Sequence, residues 1–459
     1  MDVDSRFERV TVMGAAGKMG CGISWLLARE MARLKNRPEH RGKTYRLTLI
    51  DVRQEGAKEL LGYLETQSAR QASRNIAALR SLYRGHQGVT TDEQVARAFV
   101  ADTLSVIRTG TDCREARGSR LLFEAVPETE RLKIETLRRL KETCPEDAFF
   151  LSNTSSIPIQ FLDREAGLEG RIAGFHFYNP PVVQELVEVI SARTTRPELA
   201  ELAREIGRRL GKRLVPSRDI AGFIGNGHFI RDALHAVREA ERLGDRFDEW
   251  EAIYALNRVS REGLLRPMGI FQLMDYVGID VFSSILSVMT RHIEGEAFGA
   301  DLIDRMVLKG VLGGQRPDGS QKDGFFRYEG RQPVSVYALD REGYVPLQAL
   351  DRVDRALGPL AGVEWKEVRG GPDRARTLGE HFARLASMDT LGARLTIAYL
   401  QASRRIGETL VAHGIAESPE DVNTVLTSGF HHLYGPFNAY VQLPQALSPG
   451  SGTGPGTWI

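Results

Sequence analysis

Apolar residues recur along this chain in two rhythms, and the change between them falls near Asp219. Ahead of it, short apolar runs alternate with longer helical patterns. Arg9-Val10-Thr11-Val12-Met13 reads as a short buried strand, broken by a glycine-rich turn. Residues 20–34 follow as a helix with Ile23, Leu26, Leu27 and Met31 on one face. A second strand spans 45–50 and ends at Asp51, with later strands at 120–126 and 149–152. This alternation predicts a doubly wound α/β sheet. A charged stretch from about 54 to 115 interrupts it with two helical patterns and an arginine-bearing loop near Gly85 and Gly88. That excursion is either solvated surface or an arm that reaches a ligand.

After Asp219 the periodicity is helical, so an all-α C-terminal part is expected. Breaks fall near Gly313-Gly314-Gln315-Arg316-Pro317 and at Arg369-Gly370-Gly371-Pro372. Arg266-Pro267-Met268-Gly269-Ile270-Phe271 is echoed 166 residues later by His432-Leu433-Tyr434-Gly435-Pro436-Phe437. A weaker echo of the signal after Leu243-Gly244 lies at Gly414 to Asp421, so the helical domain reads as duplicated. The expected division is 1–217 as the α/β domain, 218–330 as the first helical domain, 331–372 as a linker, 373–445 as a second, degenerate helical repeat and 446–459 as a flexible tail. Ser448-Pro449-Gly450-Ser451-Gly452 in that tail cannot build a core.

Composition narrows the classes without choosing among them. At 459 residues the length suggests about three domains. Lys+Arg 61 against Asp+Glu 60 leaves no global field for nucleic acid or an anionic membrane. No apolar run approaches the roughly 20 residues that span a bilayer. Cys21, Cys113 and Cys144 share no metal-like spacing, and no metal site is expected. The acidic N-terminus is unlike a targeting peptide, so the expected location is cytoplasmic.

Chemistry concentrates in four places. Gly14-Ala15-Ala16-Gly17-Lys18-Met19-Gly20 lies between a strand and a helix, and Asp51 ends the next strand. In that setting backbone N–H groups and a helix N-terminus face a pyrophosphate, as in a Rossmann-type domain. Asp51 accepts from an adenosine ribose and repels a 2′-phosphate, which favours NAD over NADP; Arg53 argues the other way. His176 lies 21 residues after Ser155, and Glu188 follows it by 12. Glu188 sits in the otherwise apolar Leu186-Val187-Glu188-Val189-Ile190, where a carboxylate needs a partner. An imidazole is the natural one: the carboxylate orients it and it takes a proton near neutral pH.

Taken together, these motifs resemble the L-3-hydroxyacyl-CoA dehydrogenase family. The resemblance rests on Val126-Pro127-Glu128 with Lys133, Ser152-Asn153-Thr154-Ser155-Ser156, His176-Phe177-Tyr178-Asn179-Pro180 and the Glu188 strand. It continues through Gly222-Phe223-Ile224-Gly225-Asn226, the run from Arg266 to Gly278, and Gly324-Phe325-Phe326-Arg327-Tyr328. It implies that His176 is the general base for a 3-hydroxyl, that Glu188 orients it, and that Ser155 and Asn226 hold the substrate oxygen. It implies cofactor contacts from Gly14, Gly17, Gly20, Asp51, Glu128, Lys133, Ser155 and Asn179. Lys18, Met19 and Asn153 complete that expected set, and Arg74 falls where the family places a basic residue for coenzyme A. The family's glycine turn is one residue shorter, Gly227 stands where it usually has arginine, and its lysine-bearing turn near Gly313 is longer here. The implied reaction is NAD-dependent oxidation of an L-3-hydroxyacyl-CoA. A dehydrogenase of a free hydroxy acid, as for carnitine or gulonate, and an NAD-binding structural relative are the alternatives. The duplicated helical part suggests an internal pseudo-dimer, as a monomer or homodimer.

Overall fold

A computed structural model of the chain describes residues 2–40, 42–316, 319–360 and 362–440. The expected tail at 446–459, the end of the expected second repeat at 441–445, and Pro317 lie outside the described residues. Two compact units divide after Asp219, two residues beyond the expected boundary.

The first unit runs α1 (Val3–Arg6), β1 (Arg9–Met13), α2 (Gly20–Lys35), β2 (Arg46–Ile50), α3 (Gln54–Arg74), α4 (Ile76–Leu82), α5 (Asp92–Ser105), β3 (Ile107–Gly110), β4 (Leu121–Glu124), α6 (Glu130–Thr143), β5 (Phe149–Ser152), α7 (Ile159–Ala166), β6 (Ile172–Phe177), β7 (Leu186–Ser191), α8 (Pro197–Arg209) and β8 (Arg213–Arg218). Its eight strands lie in the order β3-β2-β1-β4-β5-β6-β7-β8. All neighbours are parallel except β6 and β7. The apolar face expected for α2 packs on the sheet, with Ile23, Leu26, Leu27 and Met31 at most 2% exposed. Crossover helices on a parallel sheet remove its strands from water on both faces, which is why they read as continuous apolar runs.

The excursion corrects the sequence reading. It holds three helices, α3 to α5, followed by edge strand β3. Ala72, Leu79, Tyr83, Val95 and Phe99 give it a small core of its own. Asp102 ties it to α2 by accepting from Lys35 Nζ (2.9 Å), Asn36 Nδ2 (2.8 Å) and Tyr83 Oη (2.8 Å).

The second unit contains α9 (Gly225–Arg242), α10 (Glu249–Arg258), α11 (Ile270–Val277), α12 (Ile279–His292), α13 (Asp301–Leu308), β9 (Phe326–Glu329), β10 (Gln332–Ala338), β11 (Gly343–Pro346), α14 (Asp351–Leu357), α15 (Trp365–Gly370), α16 (Arg374–Ala386), α17 (Leu391–Ala412) and α18 (Pro419–Gly429). It is helix-rich but not all-α. The stretch expected as a linker folds: β10 pairs with both β9 and β11 in a three-stranded antiparallel sheet, and α14 and α15 follow. Among the described residues no single helix is long and apolar enough to cross a membrane.

Parts of the sequence echo have a geometric counterpart. Asn257 Oδ1 accepts from Gln272 N (3.1 Å), and Asn423 Oδ1 accepts from Phe437 N (3.0 Å). Each asparagine precedes its close-packed glycine, Gly269 or Gly435, by 12 residues, and a Cβ on either glycine would collide with that asparagine. Leu265 and His431, again 166 apart, both take positive φ, at 49° and 57°.

Candidate active site

The glycine turn closes tightly on the C-terminal end of β1. Gly14 and Ala15 donate to Ile50 O (2.9 and 3.1 Å), and Gly17 donates to Gly14 O (3.1 Å). Gly14 has φ 74°, and a Cβ there would lie 2.6 Å from Ala125 O. A Cβ on Gly20 would overlap Gly14 O outright, so the start of α2 must be glycine to sit against the turn. The turn also reaches Asp51. Ala16 N donates to Asp51 Oδ2 (3.0 Å) and Arg53 N to Oδ1 (3.2 Å), so the carboxylate is held before any ribose arrives. Beside it, Val52 is 91% exposed. Lys18 is exposed and Met19 half-buried in the turn.

The second cluster gathers at the ends of β4 and β5. Glu128 Oε1 accepts from Thr154 Oγ1 (2.7 Å), Ser155 N (2.9 Å), Ser156 N (2.9 Å) and Ser156 Oγ (2.9 Å), with Ser155 Oγ at 3.3 Å. Burial opposes its charge, but the Lys133 ammonium and these donors outweigh burial and hold the carboxyl below the usual range. Lys133 is 1% exposed, with Nζ 2.8 Å from Glu124 Oε1 and 3.4 Å from Glu128 Oε2. Burial disfavours its charge too, yet Glu124 and Glu128 raise its pKa above the usual lysine range. Asn153 Oδ1 accepts from Phe177 N (2.9 Å), which locks this turn to the end of β6.

The third cluster is the dyad. The antiparallel register of β6 and β7 sets His176 directly opposite Glu188. His176 Nδ1 lies 3.1 Å from Glu188 Oε1, and the glutamate side chain is 0% exposed. Tyr178 Oη donates to the same oxygen (2.7 Å), its ring centroid 4.8 Å from that of His176. Burial and the neighbouring carboxylate push the Tyr178 phenol well above its usual range, so it remains a donor. Tyr178 and Glu124 were missed as site residues. For Tyr178 the available signal was its place two residues from His176; for Glu124 it was an acid closing the apolar run Leu121-Leu122-Phe123.

The other expected residues are placed as follows. Asn179 follows β6, and Gln184 Nε2 donates to its carbonyl (3.4 Å). Arg74 is exposed at the C-terminal end of α3. Asn226 lies in the first turn of α9, in the second unit. A Cβ on the adjacent Gly227 would lie 3.2 Å from Leu410 Cδ2 of α17 and 3.5 Å from Arg231 Nη1, so any side chain there would press on Leu410.

Residues 9–220 match the 3-hydroxyacyl-CoA dehydrogenase NAD-binding domain, and residues 222–323 match the C-terminal domain of the same enzymes. A probable 3-hydroxybutyryl-CoA dehydrogenase of Deinococcus radiodurans is 30% identical over 222 residues, covering 48% of this chain and 75% of that one. The chain belongs to the 3-hydroxyacyl-CoA dehydrogenase family. Its cofactor is the NAD of that family's first domain. Human mitochondrial hydroxyacyl-coenzyme A dehydrogenase is 36% identical over 189 residues, and the match spans 41% of this chain and 58% of the human protein. The crystal structure of Escherichia coli 3-hydroxybutyryl-CoA dehydrogenase, 22% identical, aligns with a TM-score of 0.63 over 94% of this chain and 90% of that one. The fold of the family thus recurs along nearly the whole sequence.

Proposed function

We propose that this member of the family oxidises the 3-hydroxyl of an L-3-hydroxyacyl-CoA, reversibly, with His176 as general base. The observation that carries the reading is the buried His176 Nδ1 to Glu188 Oε1 contact at 3.1 Å, with Tyr178 on the same oxygen. A carboxylate on Nδ1 fixes the tautomer, so Nε2 carries the basic lone pair. When Nε2 takes the hydroxyl proton, Glu188 stabilises the imidazolium that results. Both groups are withdrawn from water, which strengthens that attraction. Ser155, positioned by Glu128, is a hydroxyl donor for the substrate oxygen, where negative charge develops if the proton leaves early.

The glycine turn suits a dinucleotide, because its Cβ-free positions let backbone N–H groups approach a pyrophosphate. Asp51, already oriented by Ala16 and Arg53, would hold the adenosine ribose and disfavour a 2′-phosphate. Bound NAD supplies the hydride acceptor. NADH formation with 3-hydroxybutyryl-CoA, compared with free 3-hydroxybutyrate and carnitine, tests the proposal. Turnover of the thioester supports it; turnover of either free acid alone overturns it.

In the second unit, the paired Asn257 and Asn423 motifs support an internal repeat. We read α17 as covering the face of α9 within one chain, so that the protein works as a monomer with one active site. Light scattering of the full chain tests this. An obligate dimer overturns it.

A further inference from the structure

We propose that Lys212 is a positioning residue: it holds the loop between the two dyad strands against the helix that leaves the glycine turn, and so sets Asn179 for NAD. The inference deepens the function proposed above and rests on it for the cofactor contact of Asn179.

Residues 178–185 join β6, which carries His176, to β7, which carries Glu188. The chain turns once there, with Val183 N and Gln184 N both donating to Pro180 O (3.0 and 2.9 Å). Lys212 stands just ahead of β8, and beside it Arg213 N donates to Glu185 O (2.7 Å) where β8 begins to pair with β7. From that position Nζ donates to Pro181 O and to Gln184 O, both at 2.6 Å. Gln184 Nε2 donates to Asn179 O (3.4 Å). The lysine thus fixes Gln184, and Gln184 fixes the backbone of Asn179.

The same loop is seated on α2. A Cβ on Gly22, in the first turn of that helix, would lie 3.0 Å from Pro181 Cβ and Cδ, so the proline ring rests on the helix backbone. The helix begins at Gly20, the last glycine of the turn that suits a pyrophosphate. Pro181 is therefore gripped through its carbonyl by Lys212 and through its ring by α2, which sets the spacing between the glycine turn and Asn179. The cation is not at ease in this position. Burial and the Arg29 guanidinium of α2 lower its pKa to about 8, with Glu185 of the loop opposing them in part. Arg29 and Glu185 are the charged side chains that act on it. Two charge-assisted bonds to carbonyls offset the burial.

The test uses the full chain. Lys212→Met keeps the side-chain stem and removes the ammonium. NADH affinity is read by fluorescence titration, and kcat and KM for NAD are read with 3-hydroxybutyryl-CoA. NADH binding should weaken by about tenfold, the order of one lost charge-assisted hydrogen bond, with kcat within about threefold of the parent. Lys212→Arg, which keeps a cation, should stay within about threefold of the parent in affinity. The parent's donors are charged below about pH 8 and lose that charge above it, so its NADH affinity should fall by about threefold between about pH 7 and about pH 9.5. That fall should be absent in Lys212→Met, a difference that a merely structural lysine would not produce. Gly22→Ala leaves the lysine in place, presses on Pro181 and should also weaken NADH binding, so the inference stays testable if Lys212→Met does not fold. Parent-like NADH affinity in Lys212→Met or in Gly22→Ala overturns it. So does a loss confined to kcat, an arginine variant as weak as the methionine one, or a pH profile that Lys212→Met shares with the parent. The binding measurements need no turnover, so they decide the matter even if the function proposed above fails.

Discussion

Two glutamates of the same sheet, Glu188 and Glu124, are equally withdrawn from water at 0% and 1% exposure, yet they are satisfied in opposite ways. Glu124 faces a lysine, a serine hydroxyl and a backbone amide. Its partner cation holds its charge at any physiological pH, so the pair is a fixed strut between β4 and α6. Glu188 faces an imidazole and a phenol. An imidazole can accept a proton where an ammonium cannot, so this pair is built to stabilise the cation that forms when it does. Burial strengthens both interactions. A permanent cation turns that strength into architecture, and a titratable one turns it into chemistry.

The contrast breaks most sharply at the dyad. His176→Gln keeps a polar group without a usable base, and turnover should fall by about 10²–10⁴-fold with NADH affinity retained. Glu188→Gln should also lose most activity, because the imidazolium loses its counter-charge. Near-normal turnover in His176→Gln would show that the two glutamates do not differ in function.

Stability is the readout for the other glutamate. Lys133→Met leaves Glu124 and Glu128 without their cation and should cost about 3–5 kcal/mol in urea unfolding. Glu124→Gln in the same chain should recover a large part of that loss. If the double variant is as unstable as the single one, ion pairing is not what holds Glu124 in place.

Asp51 extends the comparison to a carboxylate at the surface, with a side chain 14% exposed and Arg53 Nε 3.9 Å away. Asp51→Ala should narrow the preference for NAD over NADP by about 10³-fold at most, the order of one like-charge contact at a protein surface. Steady-state kinetics with both cofactors measures the change. Equal use of both by the parent would place Arg53 in control.

The smallest effect is expected at Tyr178→Phe, which removes one donor to Glu188 Oε1. A hydrogen bond to a charged group is worth about 1.5–3 kcal/mol. Only part of that differs between the two protonation states of the dyad, so turnover should fall less than about tenfold. A loss as large as that of His176→Gln would place Tyr178 in the reaction itself.

Much of the first unit was legible because its signals are local. The β1–turn–α2 segment, the apolar face of α2 and the acid after β2 depend on residues close in the chain. Strand β3 was lost because it is four residues long, at the sheet edge, with only Ile107 fully buried. The supposed linker failed for a related reason. Pro333 inside β10 reads as a strand breaker, and β10 is stabilised by neighbours on both sides that only the fold supplies. The buried acid in the Glu188 strand was recognised as needing a partner. The same argument applied to Glu124, but its partner, Lys133, lies on a helix whose inward face the sequence pattern does not advertise.

By itself the sequence determined the alternation of strand and helix, the glycine turn, and a hydroxyl, an imidazole and two carboxylates at spacings that match the family. These follow from backbone sterics, side-chain periodicity and pKa, which belong to single residues or short windows. Only the tertiary structure decided that His176 stands across from Glu188, that Tyr178 shares the same oxygen, and that Lys133 is enclosed between two glutamates. Periodicity states which face of a strand a residue occupies. The cross-strand partner depends on which strands pair and in what register, and those are set by the packing of the whole sheet.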